Sequence, residues 1–260
     1  MTTNESLDNI IWRFRGFENR KREWLERRRI RRILEKTRAK QTEHTDLNPL
    51  ISVIIPTYNR GKILTERTIP SVLSQTYHNF EVIIVGDHCT DDTEQLLGGI
   101  NDKRIRYINL SKRGKYPQDP WFRWLVAGSV PRNTGLKLAK GEWIAPFDDD
   151  DEFSHDHLES LLNFALEKDY ELVYGAVEMQ NEEGKWAKCG STPLRKDNIC
   201  HMSILYHSKL KLLKYNPASW KIREPDDWNL WRRMQEAGVK IGFLDRIVGK
   251  HHREFTRYNL

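Results

Sequence analysis

Three short apolar runs, each followed at once by polar residues, constrain this chain most. They are Ile51-Ser52-Val53-Ile54-Ile55 before Pro56, Phe80 to Val85 before Gly86-Asp87, and Trp143-Ile144-Ala145-Pro146-Phe147 before four aspartates. Runs of this length without polar alternation suit strands buried on both faces, as in a parallel sheet covered by helices. Between them lie helical stretches. Residues 61–76 form one, broken or reopened at Pro70. A short one opens at Asp91-Asp92-Thr93, with its acids favourable at the N-terminus. Pro131 to Ala139 is a third, ended by Lys140-Gly141. Ser154 caps another that reaches about Lys168. Arg104 to Leu110 reads as a further strand. Strands alternating with helices predict an α/β domain with a mainly parallel sheet. In such sheets ligands bind beyond the carboxyl ends of the strands. Thr57-Tyr58-Asn59, Asp87 and Asp148–Asp151 all follow strand ends, so the expected fold gathers them on one edge.

After residue 170 the alternation fades. A hairpin is expected around Asn181–Gly184, with a strand at Ile204–Tyr206. A helix from Asp226 to Ala237 ends at Gly238. A strand over Lys240–Leu244 precedes a basic, histidine-bearing tail.

Charge divides the 260 residues unevenly. Residues 1–50 hold 13 Lys/Arg against 8 Asp/Glu, and residues 51–260 hold 30 against 29, within a formal net charge of +6. The division expected is a basic amphipathic helical extension with its linker over residues 1–49, and a nearly neutral domain over 50–260. Residues 9–40 read as one helix with an apolar stripe through Ile10, Phe14, Phe17, Trp24-Leu25, Ile30, Ile33 and Leu34, interrupted near Lys21. The stripe could pack on the main domain or on a second copy in a homodimer. After that comes peripheral contact with an anionic membrane surface, and last nucleic acid, which is not expected as a partner. Residues 41–49 read as a linker. Three widely spaced cysteines, Cys89, Cys189 and Cys200, form no CxxC pair and suggest neither a zinc framework nor disulfides. No membrane-spanning stretch or signal peptide is visible. A cytoplasmic protein, peripheral at most at the inner face of the membrane, is expected, and a processive membrane synthase is not.

Asp148-Asp149-Asp150-Asp151 carry the chemistry. Four successive carboxylates repel one another, and at the end of a buried strand they need a positive partner. A divalent cation fits, since hard carboxylate oxygens bind Mn²⁺ or Mg²⁺ well. A solvated acidic turn is the bland alternative.

Four blocks, taken in order, resemble family 2 glycosyltransferases with the GT-A fold. They are Ser52 to Arg60; Ser71 to Tyr77 with Phe80 to Val85, Asp87 and Thr90 to Thr93; Pro131 to Leu136 with Ala139 to Ile144 and the aspartates; and Asp226 to Trp231. The resemblance covers roughly residues 51–250. It implies a GT-A (Rossmann-like) α/β fold, a mainly parallel sheet flanked by helices, here with an N-terminal basic helix. It implies transfer of a sugar, with inversion, from a nucleotide-diphosphate sugar (a UDP-sugar favoured) to a glycan, lipid-linked or small-molecule acceptor.

By the same resemblance Pro56, Thr57, Tyr58 and Asp87 hold the nucleoside and Arg132 approaches the diphosphate. Asp148 and Asp150 match the Asp-x-Asp signature, with Asp150 on the cation, Asp148 on the ribose or a metal-bound water, and Asp149 between them also in the nucleotide-sugar site. Asp149 and Asp151 share that spacing, so the register is the family's. Asp227 is the general base, and a late histidine, His251 ahead of His252, completes the metal site. His201 and His207 could line the acceptor site or simply pack. Trp121, Phe122 and Trp124 could stack on sugar or form core. The family commonly has two acids and Gly-Ser after its second strand. Gly86-Asp87-His88-Cys89 departs from that, which bears on nucleotide identity. A sugar nucleotidyltransferase would need a Gly-rich first loop in place of Pro56–Arg60. A non-catalytic sugar-nucleotide-binding or scaffold module, attached through the N-terminal helix, is the alternative from another class.

Overall fold

The computed structural model describes residues 4–39 and 48–253, with side chains of the first helix described from Phe17 onward, Asn19 excepted. Most of the expected linker, the tail beyond Arg253, and the side chains of Ile10 and Phe14 lie outside the described residues.

The parallel part of the sheet follows the apolar runs. Strands β1 (Ile51–Thr57), β2 (Phe80–Gly86), β3 (Ile105–Asn109) and β4 (Trp143–Pro146) lie in the order β3-β2-β1-β4, all parallel. β1 and β4 are buried along their whole length, as their unbroken apolar patterns require. Pro56 was expected to stop β1, yet the strand continues through it to Thr57, opposite Val85 and Gly86. The pairing of β4 with β1 ends at Ile54, so Pro56 faces no strand on that side and its missing N–H costs no ladder bond.

Beyond β4 the sheet becomes mixed. β8 (Ile204–His207) runs antiparallel between β4 and β6 (Leu172–Gln180). β7 (Trp186–Cys189) closes the expected hairpin on β6, and β9 (Ile241–His251) lies parallel to β6 on its other side. A two-residue strand, β5 (Glu152–Phe153), pairs with β9. β9 was expected to end at Leu244 before a free tail. Two register shifts against β6 carry it on to His251, opposite Met179.

Helices cover both faces. Helix α1 is Asn4–Ala39, followed by α2 (Gly61–Ile63), a π-turn over Leu64–Thr68 and α3 (Ile69–Leu73). Pro70 has no N–H to offer the Glu66 carbonyl, and the helix widens just before it. α4 (Thr93–Gly98), α5 (Pro120–Trp124), α6 (Ser129–Leu138), α7 (His157–Glu167) and α8 (Asp226–Glu236) complete the set. Ser154 does not cap α7 with its side chain; its carbonyl accepts the His157 N–H at 3.0 Å.

The α1 stripe does not act as one face. Ile30 and Leu34 are buried against α8 and its neighbours, whereas Phe17, Trp24 and Leu25 are exposed. The anchor of the helix is polar. Buried Glu23 accepts from Asn229 Nδ2 at 2.9 Å and from Arg232 Nη2 at 3.0 Å. Arg233 of α8 donates to Glu26 at 2.9 Å. No helix among the described residues is long and apolar enough to cross a membrane.

Candidate active site

One cleft of about 490 Å³ opens at the carboxyl ends of β1, β2 and β4, within the size range of small-molecule sites. Its position is the switch point of the sheet, where β1 is flanked by β2 on one side and β4 on the other. Pro56, Thr57, Tyr58, Asp87, Arg132, Asp148, Asp149, Asp150, Asp227 and His251 all line it. His252 and His207 do not; the His207 ring faces Glu142 at 3.5 Å. Trp121 and Trp124 stack at 5.2 Å on α5 and are exposed rather than core, and Trp124 alone borders the cleft.

Each aspartate of the turn has its own partner. Asp148 Oδ1 accepts from Arg132 Nη2 at 2.9 Å, and its Oδ2 lies 3.2 Å from His201 Nδ1. Burial would raise this carboxyl, but His201 and Arg132 outweigh it and hold the group well below the usual range. Asp149 Oδ2 accepts from Thr57 Oγ1 at 2.7 Å, which ties the acidic turn to the end of β1. Burial, with Asp150 beside it, pushes Asp149 up to about 7 against the pull of Arg60 and Thr57. Asp150 Oδ2 accepts from Arg60 Nη1 at 2.6 Å. Asp151, fully buried, accepts from His251 Nδ1 at 2.9 Å and from the His252 backbone N–H at 3.1 Å. Burial raises Asp151 to about 6, with Asp150 and Asp148 adding to the rise and His251 opposing it. The π-turn aims two more groups at the same loop: Arg67 Nη1 donates to the Asp150 carbonyl at 2.9 Å and Thr68 Oγ1 to that of Asp151 at 3.1 Å.

Arg132 projects from α6 and is held from both sides. Nη1 lies 3.1 Å from Asp226 Oδ2, while Nη2 serves Asp148. Gly128, at φ 85°, lets the guanidinium lie against the backbone, since a Cβ there would meet it at 3.2 Å. The Arg132 Nε is buried and has no hydrogen-bond partner among the described residues. Asp226 and Asp227 open α8, but they differ. Asp226 is buried on Arg132, and burial raises it to about 6. Asp227 is partly exposed on the cleft, with Oδ1 accepting the Trp228 N–H at 2.6 Å.

Four participants have no role in the sequence-based expectation. Gly114 N and Tyr116 Oη donate to the two oxygens of Asp87 at 2.8 and 2.7 Å. Burial, then Asp87, raises the Tyr116 phenol, so it stays a donor. The Arg113 guanidinium stacks 3.6 Å over the Tyr58 ring. Arg60, quoted within the first block but given no role, pairs with two of the four aspartates. The loop contacts have no periodicity to betray them; a basic, Gly- and Tyr-bearing stretch in an irregular segment was the available hint.

The donor set on offer to a cation is mixed. Around the acidic turn stand carboxylates and the His251 imidazole, ligands suited to Mn²⁺ or Mg²⁺. Asp150 would have to exchange Arg60 for the ion.

Comparison with known proteins is consistent with this geometry. The model of "Glycosyl transferase family 2" matches residues 52–118 and 127–224. An uncharacterized glycosyltransferase of Rickettsia felis is 32% identical over 226 residues, covering 84% of this chain. The chain spans 35% of the length of that relative. Staphylococcus aureus TarS 1–349, solved in complex with UDP-GlcNAc, superposes with a TM-score of 0.61 at 22% identity, over 80% of this chain and 60% of that one. The mannosyltransferase PcManGT of Pyrobaculum calidifontis, solved with GDP-Man and Mn²⁺, gives 0.59 at 18% identity, over 96% and 70%. At these identities the two structures speak for the GT-A-like fold alone.

Proposed function

The chain belongs to glycosyl transferase family 2, and on that premise we propose that it moves a sugar from a nucleotide-diphosphate sugar to an acceptor hydroxyl with inversion. The observation that carries the reading is the convergence on one cleft of Asp227, at the start of α8, with the acidic turn after β4. Asp227 is the side chain proposed to take a proton there. It is partly exposed, it opens a helix and among the described residues it has no guanidinium partner, whereas Asp226 is bound to Arg132.

In the proposed reaction Asp227 accepts the proton of the acceptor hydroxyl as that oxygen attacks the anomeric carbon. The bond from that carbon to the diphosphate oxygen breaks, and the nucleoside diphosphate leaves on the opposite face. Pro56, Thr57, Tyr58 and Asp87 bind the nucleoside, with Arg113 and Tyr116 covering it. Arg132, whose buried Nε has no partner among the described residues, approaches the diphosphate. A divalent cation, Mn²⁺ or Mg²⁺, held by Asp150 and His251, would supply charge neutralisation for the leaving group. Asp148 and Asp149 stand on the donor side, Asp148 holding Arg132 and Asp149 tying the turn to β1 through Thr57. The UDP-GlcNAc and GDP-Man bound by the two structural neighbours support a nucleotide-sugar donor, and a UDP-sugar is favoured.

The test is a panel of nucleotide sugars titrated with and without Mn²⁺, following binding by calorimetry and nucleotide release by a coupled assay. One donor should bind with metal, Asp150→Ala should lose that binding, and Asp227→Asn should bind yet turn over about 10²–10⁴-fold more slowly. Donor turnover unchanged in Asp227→Asn would remove it as the base.

A further inference from the structure

Beneath the acidic turn, three donors of different chemistry meet. A carboxylate oxygen of Asp151, Sγ of Cys200 and a ring nitrogen of His251 all lie within 4.8 Å of one another. They come from three separate places in the chain: the turn after β4, the residue before the His201–Ser203 turn, and the last residue of β9. Asp151 and Cys200 are buried, and the His251 side chain is 14% exposed. The backbone of Cys200 is fixed, since its carbonyl accepts from Ser203 Oγ at 2.7 Å and from Ser203 N at 3.0 Å. Cys200 and His251 border the cleft while Asp151 stands behind them. The group therefore has a closed side of protein ligands and an open side toward the donor pocket.

We propose that Asp151, Cys200 and His251 form a cation site of mixed oxygen, sulfur and nitrogen donors that takes a borderline-soft divalent ion of the zinc or cobalt class. Three protein ligands with a fourth side open to water or substrate is the arrangement of reactive rather than structural zinc sites. A thiolate beside an imidazole selects such ions over Mg²⁺, which demands oxygen ligands and octahedral order. Asp150 is not a member of this group; its carboxylate is on Arg60. The inference rests on the transferase reading only in sharing His251 with the cation site proposed there.

The experiment uses the full chain, stripped of metal and titrated with Co²⁺. Its readout is the thiolate-to-cobalt charge-transfer absorption, followed by competition with Zn²⁺ and Mg²⁺. One equivalent of Co²⁺ should give the band, Zn²⁺ should remove it, and excess Mg²⁺ should not. Cys200→Ser should abolish the band and weaken Co²⁺ binding at least about tenfold, while Asp150→Asn and Cys89→Ser keep it. As a check independent of variant folding, Zn²⁺ should protect Cys200 of the unaltered protein from alkylation, read by mass spectrometry. No band in the unaltered protein, or a band lost in Cys189→Ser but kept in Cys200→Ser, overturns the proposal. Nucleotide-sugar turnover with Mn²⁺ is scored in a separate arm. Turnover without the band sinks the cation site alone, and the band without turnover sinks the transferase reading alone.

Discussion

Arg60 Nη1 lies 2.6 Å from Asp150 Oδ2 and so occupies the carboxylate expected to meet a cation. The same nitrogen is 3.4 Å from Asp149 Oδ1, so one guanidinium offsets two neighbouring acids in a half-closed pocket.

Replacing Arg60 by Gln should therefore destabilise the metal-free protein by about 2 kcal/mol, between the ranges for exposed and buried pairs. Mn²⁺ should restore much of the lost Tm, because it supplies the missing positive charge. Thermal unfolding in EDTA and in Mn²⁺ checks both halves. A variant equally destabilised in both would show that Arg60 matters for packing alone.

The Asp149 carboxyl, raised to about 7, makes a pH prediction with a definite sign. A carboxyl whose folded value lies above its unfolded one binds its proton more tightly when folded. Its contribution to stability is then greatest below the unfolded value, near 4, is lost as pH rises toward 7, and stays lost above that. Asp149→Asn keeps a neutral group against Thr57 and removes the penalty. In EDTA the variant should melt higher than the unaltered protein at pH 8, and the gap should shrink steadily as pH falls toward 4. A gap independent of pH would assign the effect to something other than this ionisation.

Asp87 holds the 111–119 loop by both oxygens, through Gly114 N and Tyr116 Oη. Asp87→Ala should expose that loop to limited proteolysis and weaken nucleotide binding roughly 10–100-fold, the scale of one or two charge-assisted hydrogen bonds. Tyr116→Phe removes one of the two ties and should show the proteolysis effect more than the binding effect. Unchanged cleavage in Asp87→Ala would mean the loop is held elsewhere.

On α1, Leu34→Ala should cost about 3 kcal/mol, as expected for a leucine truncated at a buried site. Leu25→Ser, at an exposed position of the same helix, should change stability by no more than about 0.5 kcal/mol. Chemical denaturation of the two variants side by side tests which face of α1 is structural.

The parallel half of the fold was legible because β1, β2 and β4 are apolar on both faces and end abruptly in polar residues. Thr57, Asp87 and the aspartates could be gathered on one edge by that rule alone. Legibility failed where tertiary pairing decides. β5 is two residues long and exists only because β9 reaches it. β9 reaches it through register shifts that no periodicity announces, and so His251 sits in a strand instead of a tail. On α1, buried Glu23 and exposed Trp24 invert the hydrophobic expectation, because α8 presents Arg232 and Asn229 to that face. Within the acidic turn, spacing could not say which carboxylate meets Arg60, Arg132 or His251; the pairing with Thr57 and the π-turn set that register.

The clasp between α1 and α8 also bears on how the chain is made. Glu23 and Arg232 are separated by 209 residues. A ribosome adding about 5–20 residues per second needs roughly 10–40 s to bring the second partner out after the first. Throughout that interval the nascent α1 has no α8 to close on. Contacts this distant in sequence raise the contact order, which slows folding. Helix α1 is thus anchored by a segment made well after it, the same segment that carries Asp227. One helix, α8, therefore both anchors α1 and carries Asp227 into the proposed cleft.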